Sequence, residues 1–197
     1  MRSDAARLIA PYAAWMVLMM ALPETTWAYA IRTKVVAFLL LLACVPFCEK
    51  GFRPDVVRRS VLPGLLVGFA VFAIWILPEQ FDWEWYRKWC IIGEGGTQAV
   101  AGASTLMIVY RLIGSAFVIS IAEELFFRKW LIGFAGFWWS VALFAVEHDR
   151  WLVGAIAGAA YGILYLRKGL GAACVAHVTT NLALGLWVLK TGQWQFW

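Results

Sequence analysis

The sequence predicts an all-α membrane protein, a polytopic bundle of about seven transmembrane helices with a polar site buried between the later ones. Hydrophobic residues make up 63% of the 197 positions and charged residues 15%, whereas a soluble domain is about half apolar and about one quarter charged. The apolar residues form long segments without strict alternation, and such segments satisfy their backbone hydrogen bonds in lipid as helices. The mean hydropathy of +0.74 is typical of the same class.

Seven apolar segments can be delimited along the chain. They lie at about residues 8–22, 35–48, 61–77, 101–134, 137–147, 151–166 and 170–189. Several are shorter than the ~20 residues that a span ideally needs. We interpret the first as an uncleaved helix rather than a secretory signal, because it is long for a signal and several spans follow it.

Length and composition leave room for one bundle, so residues 1–197 are predicted to form a single transmembrane domain. Residues 1–98 would supply N-terminal helices and an outward-facing loop, and residues 99–190 a core that carries the membrane-embedded polar residues. The net charge is +5, but no basic run is long enough to indicate a nucleic-acid partner. The lipid bilayer is the partner that the composition itself predicts.

Basic residues predict the orientation, because Lys and Arg concentrate on the cytoplasmic side of membrane proteins. A ladder of seven helices places most basic clusters on one side, together with the N-terminus. Arg32 and Lys34 fall on the opposite side and argue weakly against this orientation. The clusters on the predicted cytoplasmic side are Arg2 and Arg7, then Lys50, Arg53, Arg58 and Arg59, then Arg128 and Lys129, and finally Arg167 and Lys168.

The segment "AEELFFRKW" places three ionisable residues, Glu123, Glu124 and Arg128, between apolar stretches. Charged side chains in lipid are usually paired, face the protein interior and are functional. Glu124 and Arg128 are four residues apart, so they can pair on one helix face. Glu123 lies about 100° around the helix from Glu124, and we expect it to face a polar cavity instead.

The two histidines of the chain also occur in apolar surroundings, in "FAVEHDRW" and "AHVTTNLAL". His177 and Asn181 are four residues apart and therefore share a helix face, about 6 Å from each other. Taken singly, each group has a structural explanation: an ion pair, an interfacial His148, or a hydrogen-bonding pair between helices. Their concentration in the last three-fifths of the chain favours one shared site.

Such a site suggests water-mediated chemistry. A carboxylate and a histidine can activate water as a general base, and a second histidine with an asparagine amide can donate to a developing oxyanion. This set would suffice for peptide hydrolysis without a covalent enzyme intermediate. It is also compatible with a zinc site, since histidine and carboxylate ligate zinc and a catalytic zinc keeps one position open for water.

The depth of His148 is a geometric difficulty for this site. A strict ladder puts Glu123 toward one face of the membrane and His148 toward the other. The difficulty eases if the fourth helix continues to about Phe134, and if the fifth segment is short or dips into the bundle at its end. Non-helical backbone at depth is tolerated where it lines a cavity.

Three motifs carry a resemblance to a known family. "EELFFR" is similar to its EExxxR motif, "FAVEH" (Phe144 to His148) to its FxxxH motif, and "HVTTN" (His177 to Asn181) to its HxxxN motif. The chain thus resembles the CAAX-protease and bacteriocin-processing family of intramembrane proteases over about residues 100–190. The resemblance marks residues 99–190 as a protease-like core. Lys129 departs from the family, which usually has glycine after the arginine.

The resemblance implies a role for each matching position. Glu123 would be the general base on water, assisted by His148, while His177 and Asn181 would stabilise the oxyanion. Glu124 and Arg128 would hold the site in shape. No metal is predicted to be required, because Asn181 ligates zinc poorly and donates well to an oxyanion; if a metal is present, its ligands are predicted to be Glu123, His148 and His177.

The sequence therefore predicts an intramembrane endopeptidase that cleaves a membrane-embedded or membrane-associated protein. "EHDRWLVGAIAG" and the terminal "TGQWQFW" further resemble the CAAX-protease-related proteins of bacterial PEP-CTERM/exosortase systems, which implies the bacterial inner membrane. The alternatives are a zinc-dependent version of the same protease, or a scaffold or immunity protein that retains the fold without activity. A transporter with a proton relay is disfavoured, because no repeated halves are visible.

Overall fold

The computed structural model describes residues 2–48, 54–92 and 104–196, and within them it contains eight α-helices and no β-strand. The predicted all-α fold is confirmed. A single 3₁₀ turn, Trp194–Phe196, follows the last helix. The helices are α1 (Arg2–Ala21), α2 (Thr26–Cys48), α3 (Pro54–Gln80), α4 (Glu84–Cys90), α5 (Thr105–Ala135), α6 (Phe137–Val146), α7 (Trp151–Lys168) and α8 (Leu170–Thr191).

Every predicted segment corresponds to one helix of the described residues, and the predicted count of about seven spans is approximate. Helix α6 is apolar but has ten residues, fewer than the ~20 that a span needs, and α4 is a seven-residue helix that the sequence did not predict. Lys50, Arg53, residues 101–103 and the predicted boundary at residues 98–99 lie outside the described residues. The stretches long and apolar enough to cross a membrane are Thr26–Cys44, Arg59–Gln80, Thr105–Ala135 and Leu170–Thr191.

Helix α5 occupies the centre of the described bundle. It contacts α1 and α2 on one side and α6 and α8 on the other. Around it, α1 and α2 pack as one pair, α6 and α7 as a second, and α3 and α8 as a third. The glutamates of α5 therefore face helices from both halves of the chain.

Two glycines in "GLLVG" allow α3 to lie against α8 at close range. A Cβ atom at Gly68 would lie 2.6 Å from the carbonyl oxygen of Ala176, and one at Gly64 would lie 2.6 Å from Cγ1 of Val175. Small residues four apart are a common device for close helix packing in membranes. Because Ala176 directly precedes His177, this contact also positions the histidine.

We expect Gly68→Ala to destabilise the bundle by about 1–3 kcal/mol, the usual cost of overpacking, because its new methyl group would meet backbone that cannot move aside. Gly133→Ala is the matched control, since a Cβ there has nothing within 4 Å. Thermal unfolding of both variants in detergent measures the difference. Equal melting temperatures for the two would refute the close-contact explanation.

Arg32, which argued against the predicted orientation, has a structural role in the fold. Its side chain is buried, and its guanidinium donates hydrogen bonds to the carbonyl oxygens of Leu18, Leu22 and Pro23. These carbonyls lie at the C-terminal end of α1, where a helix leaves its last acceptors unpaired. Arg32 thus caps a neighbouring helix, and its position need not reflect membrane orientation.

Candidate active site

The two glutamates of α5 lie where the helix changes its hydrogen-bonding pattern. Ser120–Glu123 is an α-helical turn between two π-helical stretches, Gly114–Ile119 and Glu124–Leu131. π-Helical turns inside α-helices are rare and frequently mark functional sites. Here the wider turn begins at Glu124, and both carboxylates reach the same imidazole ring on α8.

Glu124 and Arg128 form a buried network across three helices. Both side chains have no exposed surface, and Nε of Arg128 lies 3.2 Å from Oε2 of Glu124. Oε1 of Glu124 lies 2.9 Å from Nδ1 of His177, and Nη1 of Arg128 donates to Oγ of Ser140 on α6 at 3.1 Å. The pair that the i,i+4 spacing predicts is present, and it also connects α6 and α8.

His177 is held from three directions. Its Nδ1 faces Glu124, and its Nε2 lies 3.5 Å from Oε2 of Glu123. The ring stacks on Tyr161 with 4.8 Å between centroids, and the hydroxyl of Tyr161 donates to Thr180 Oγ1 at 2.7 Å. The orientation of this imidazole is therefore determined by the bundle rather than by a ligand.

His148 reaches the bundle interior because α6 is short. The helix ends at Val146, and the following turn directs the ring toward Trp75 and Phe144, whose ring centroids lie 5.4 and 4.7 Å away. Nδ1 lies 2.7 Å from the carbonyl oxygen of Phe144. A carbonyl only accepts, so Nδ1 carries the hydrogen and Nε2 of the neutral ring is an acceptor.

Asn181 is bound to the first π-helical stretch of α5. Its Nδ2 donates to the carbonyl oxygen of Ser115 at 3.1 Å and to Oγ of Ser120 at 2.9 Å. Ser120 Oγ in turn donates to Ser115 O at 3.0 Å. Donation to an oxyanion by this amide requires one of the two hydrogen bonds to be exchanged for the substrate.

A cavity of about 190 Å³ connects the second and third motifs. Since one water occupies about 30 Å³ of liquid, this space holds a few waters or a single side chain. The predicted residues His148, His177 and Asn181 all line it, and Glu123 lies against His177 beside it. The remaining lining residues are Trp75, Ser115, Phe144, Ala157, Tyr161, Leu184 and Phe196.

Residues 104–183 match the family model described as Type II CAAX prenyl endopeptidase Rce1-like. The matched segment contains all three motifs. This segment is similar to the CAAX-protease family. The predicted resemblance is thus confirmed for this segment, while the exosortase-related subgroup is not confirmed. No curated protein and no solved structure matches the chain. Together with its apolar helices, the CAAX-protease segment identifies an integral membrane protein.

Two residues that the CAAX-protease motifs do not specify, Glu147 and Tyr12, also join the site. Single oxygen or nitrogen atoms of Glu123, Glu147 and His148 lie within 4.8 Å of one another, and the hydroxyl of Tyr12 donates to the Glu147 carboxylate. The sequence did carry a signal for Glu147, which stands beside His148 in an apolar stretch. Tyr12, on α1, gave no such signal.

The same geometry bears on the alternative metal site. Among the described residues, the three groups close enough to share an ion are Glu123, Glu147 and His148, whereas the sequence suggested His177 as the third ligand. His177 instead lies between the two carboxylates of α5. A zinc ion held by Glu123, Glu147 and His148 would have a single nitrogen ligand, from His148.

Proposed function

We propose that this protein is an intramembrane endopeptidase that cleaves a membrane-embedded or membrane-associated protein by direct attack of water. The observation that carries the proposal is the proximity of Glu123, His148 and His177 inside an apolar bundle, where the two histidines line one cavity and Glu123 lies against His177. The CAAX-protease segment supports a peptidase at the level of the family. A site within a bundle of apolar helices favours substrates that are themselves held at the membrane.

In the proposed reaction Glu123 is the general base. It removes one proton from water as the oxygen attacks the peptide carbonyl, while Nε2 of His148 accepts the second hydrogen of that water and orients it. As the C–N bond breaks, Glu123 returns its proton to the leaving amine nitrogen. The amide of Asn181 donates to the oxyanion, and so does Nε2 of His177 in the form of the ring that carries a hydrogen on both nitrogens, since Nδ1 already donates to Glu124. Glu124 and Arg128 act through His177, because their buried network determines its orientation.

A scaffold or immunity protein with the same fold would have no peptidase activity, so cleavage distinguishes the two functions. Purified protein in lipid nanodiscs is incubated with a peptide library prepared from membrane proteins, and new peptide termini are detected by mass spectrometry. The proposal expects termini that appear only with the folded protein. Their complete absence across the library would favour the non-enzymatic function.

We further propose that catalysis requires no metal, because catalytic zinc is generally held by at least two histidine or cysteine ligands and the Glu123–Glu147–His148 group supplies one nitrogen. Purified active protein is therefore expected to contain well under one zinc per chain and to keep its activity after dialysis against a strong chelator. Elemental analysis and activity assays check this. Stoichiometric zinc, with activity lost on chelation and restored by zinc, would overturn the metal-free proposal.

Asn181→Ala is expected to lower turnover by about 10²- to 10³-fold, the usual cost of removing one oxyanion donor, without changing the metal content. Ser120→Ala is the matched control, because it removes a partner of the Asn181 amide but leaves the amide in place. If the amide only braces α5, both variants lose activity equally. A large loss confined to Asn181→Ala supports oxyanion donation.

For the location we propose the bacterial inner membrane, with the N-terminus in the cytoplasm. The basic residues at the predicted cytoplasmic ends support this orientation, and the capping role of Arg32 removes one argument against it. Reporter fusions at the N-terminus, active only in the cytoplasm or only outside it, test the orientation. Activity of the outside reporter alone would reverse it.

A further inference from the structure

Glu147 is a carboxylate at the site that the proposed reaction does not use. It follows the last residue of α6, and its side chain is 14% exposed. Its Oε1 lies 4.0 Å from Nδ1 of His148, and one of its oxygens lies within 4.8 Å of an oxygen of Glu123. Glu147 thus places a further carboxyl group beside the proposed base Glu123 and its assisting His148, and the reason for its presence has to be physical.

The unpaired oxygens of the two carboxyls point to a bound polar molecule. Oε2 of Glu123 and Oε1 of Glu147 are both buried, and neither has a hydrogen-bond partner among the described residues. The 3.5 Å contact of Glu123 with His177 does not meet hydrogen-bond geometry. A buried acceptor without a donor costs about 1–3 kcal/mol, so two of them side by side favour a donor between them.

The separation of the three groups is compatible with one shared water. Three atoms that are at most 4.8 Å apart all lie within 4.8 Å divided by the square root of three, about 2.8 Å, of a common centre. This is the usual donor–acceptor distance of an O–H···O hydrogen bond, about 2.7–2.8 Å. A water at this centre would lie no farther than one hydrogen-bond length from an atom of each of Glu123, Glu147 and His148.

Tyr12 of α1 holds Glu147 in this position. Its hydroxyl donates to Oε2 of Glu147, which leaves Oε1 as the oxygen directed to the other groups. The Tyr12 ring is itself fixed, because it stacks on Phe126 of α5 with 4.5 Å between centroids. Tyr12 precedes the CAAX-protease segment, so a helix from the other half of the chain completes the site.

We propose that Glu147, held by Tyr12, is a positioning residue that binds the attacking water together with Glu123 and His148. This inference rests on the proposed peptidase function. A water has two hydrogens for three acceptors, and two carboxylates this close in a buried site do not both ionise readily. The two carboxyls therefore hold one proton between them, while the ionised oxygen of Glu123 takes the proton from water.

The test compares Glu147→Gln and Tyr12→Phe, alone and combined, on the best-cleaved peptide of the library. Glu147→Gln is expected to lower kcat by about ten-fold or more with KM nearly unchanged, and Tyr12→Phe by roughly two- to ten-fold, the effect of one lost hydrogen bond. Because Tyr12 acts through Glu147, the double variant should match Glu147→Gln alone. Additive losses, or a change in KM alone, would overturn the proposal.

Matched controls separate this inference from general damage. Asp149→Asn removes a carboxylate charge from an exposed side chain two positions after Glu147. Tyr110→Phe removes a tyrosine hydroxyl outside the site. Both variants should keep wild-type activity. If Glu123→Gln is inactive while Glu147→Gln has full activity, the proposed function stands and the inference fails. If the wild type cleaves nothing, the proposed function fails first.

An infrared measurement tests, without any substrate, whether Glu123 and Glu147 share one proton. The wild type and Asp149→Asn are expected to show a protonated-carboxyl C=O band that both Glu147→Gln and Glu123→Gln lose, since a single remaining carboxylate ionises. Retention of this band in both variants would overturn the paired carboxyls, whatever the library shows.

Discussion

Glu123→Gln is expected to abolish peptide cleavage while the protein still inserts and folds. Glutamine keeps the size and shape of the side chain but cannot take a proton from water, so turnover should fall about 10²-fold or more, as for removal of a general base. The position favours this role: Oε2 of Glu123 has no hydrogen-bond partner among the described residues and lies 3.5 Å from Nε2 of His177. Initial rates at saturating peptide measure the effect.

The control for this substitution is Glu84→Gln on α4, an exposed glutamate outside the site. It should keep wild-type turnover, and the thermal unfolding of Glu123→Gln should resemble that of the wild type, because no strong partner is lost. Near-wild-type turnover in Glu123→Gln would end the assignment of this residue as the base.

Arg128→Ala should instead lower stability, by about 3–5 kcal/mol, because it leaves the carboxylate of Glu124 buried without its cation. Both side chains are fully buried, and the guanidinium also donates to Ser140 and lies 4.6 Å above the ring of Phe144. The expected readout is a reduced yield of folded protein and a lower unfolding temperature in detergent. The fall should exceed that of Glu123→Gln.

Arg87→Ala provides the contrast for the buried pair. Arg87 pairs with Asp82 at the surface, where the two side chains are 50% and 78% exposed, and exposed pairs contribute little to stability. The unfolding temperature of Arg87→Ala should therefore be close to that of the wild type. A stable but inactive Arg128→Ala protein would contradict the structural role and point to direct participation in catalysis.

The sequence predicted the features that depend on local spacing and on hydropathy. The i,i+4 spacing of Glu124 and Arg128 is enough to anticipate their ion pair, and long apolar segments are enough to anticipate helices. The number of spans is approximate, because four stretches of the described residues are long and apolar enough to cross a membrane, whereas α6 has ten residues. The shortness of α6 is also the reason that His148 reaches the interior.

The partners that complete the site depend on packing between distant segments. Tyr12 lies 135 positions from Glu147, and Ser120 lies 61 from Asn181. No local pattern links such pairs. The π-helical stretch at Glu124 was equally hidden, because an ideal 3.6-residue helix would send the two carboxylates in directions about 100° apart. The division of labour between Glu123 and Glu124 stays a prediction, since both contact His177.

The most direct test of a metal-free, water-activating peptidase is cleavage of the membrane-peptide library by chelator-treated wild type beside Glu123→Ala. We expect the treated wild type to produce new peptide termini and Glu123→Ala, folded to the same extent, to produce none. Equal cleavage by both proteins would contradict the role of Glu123. Cleavage that disappears on chelation and returns with zinc would contradict direct activation of water by the carboxylate and histidine.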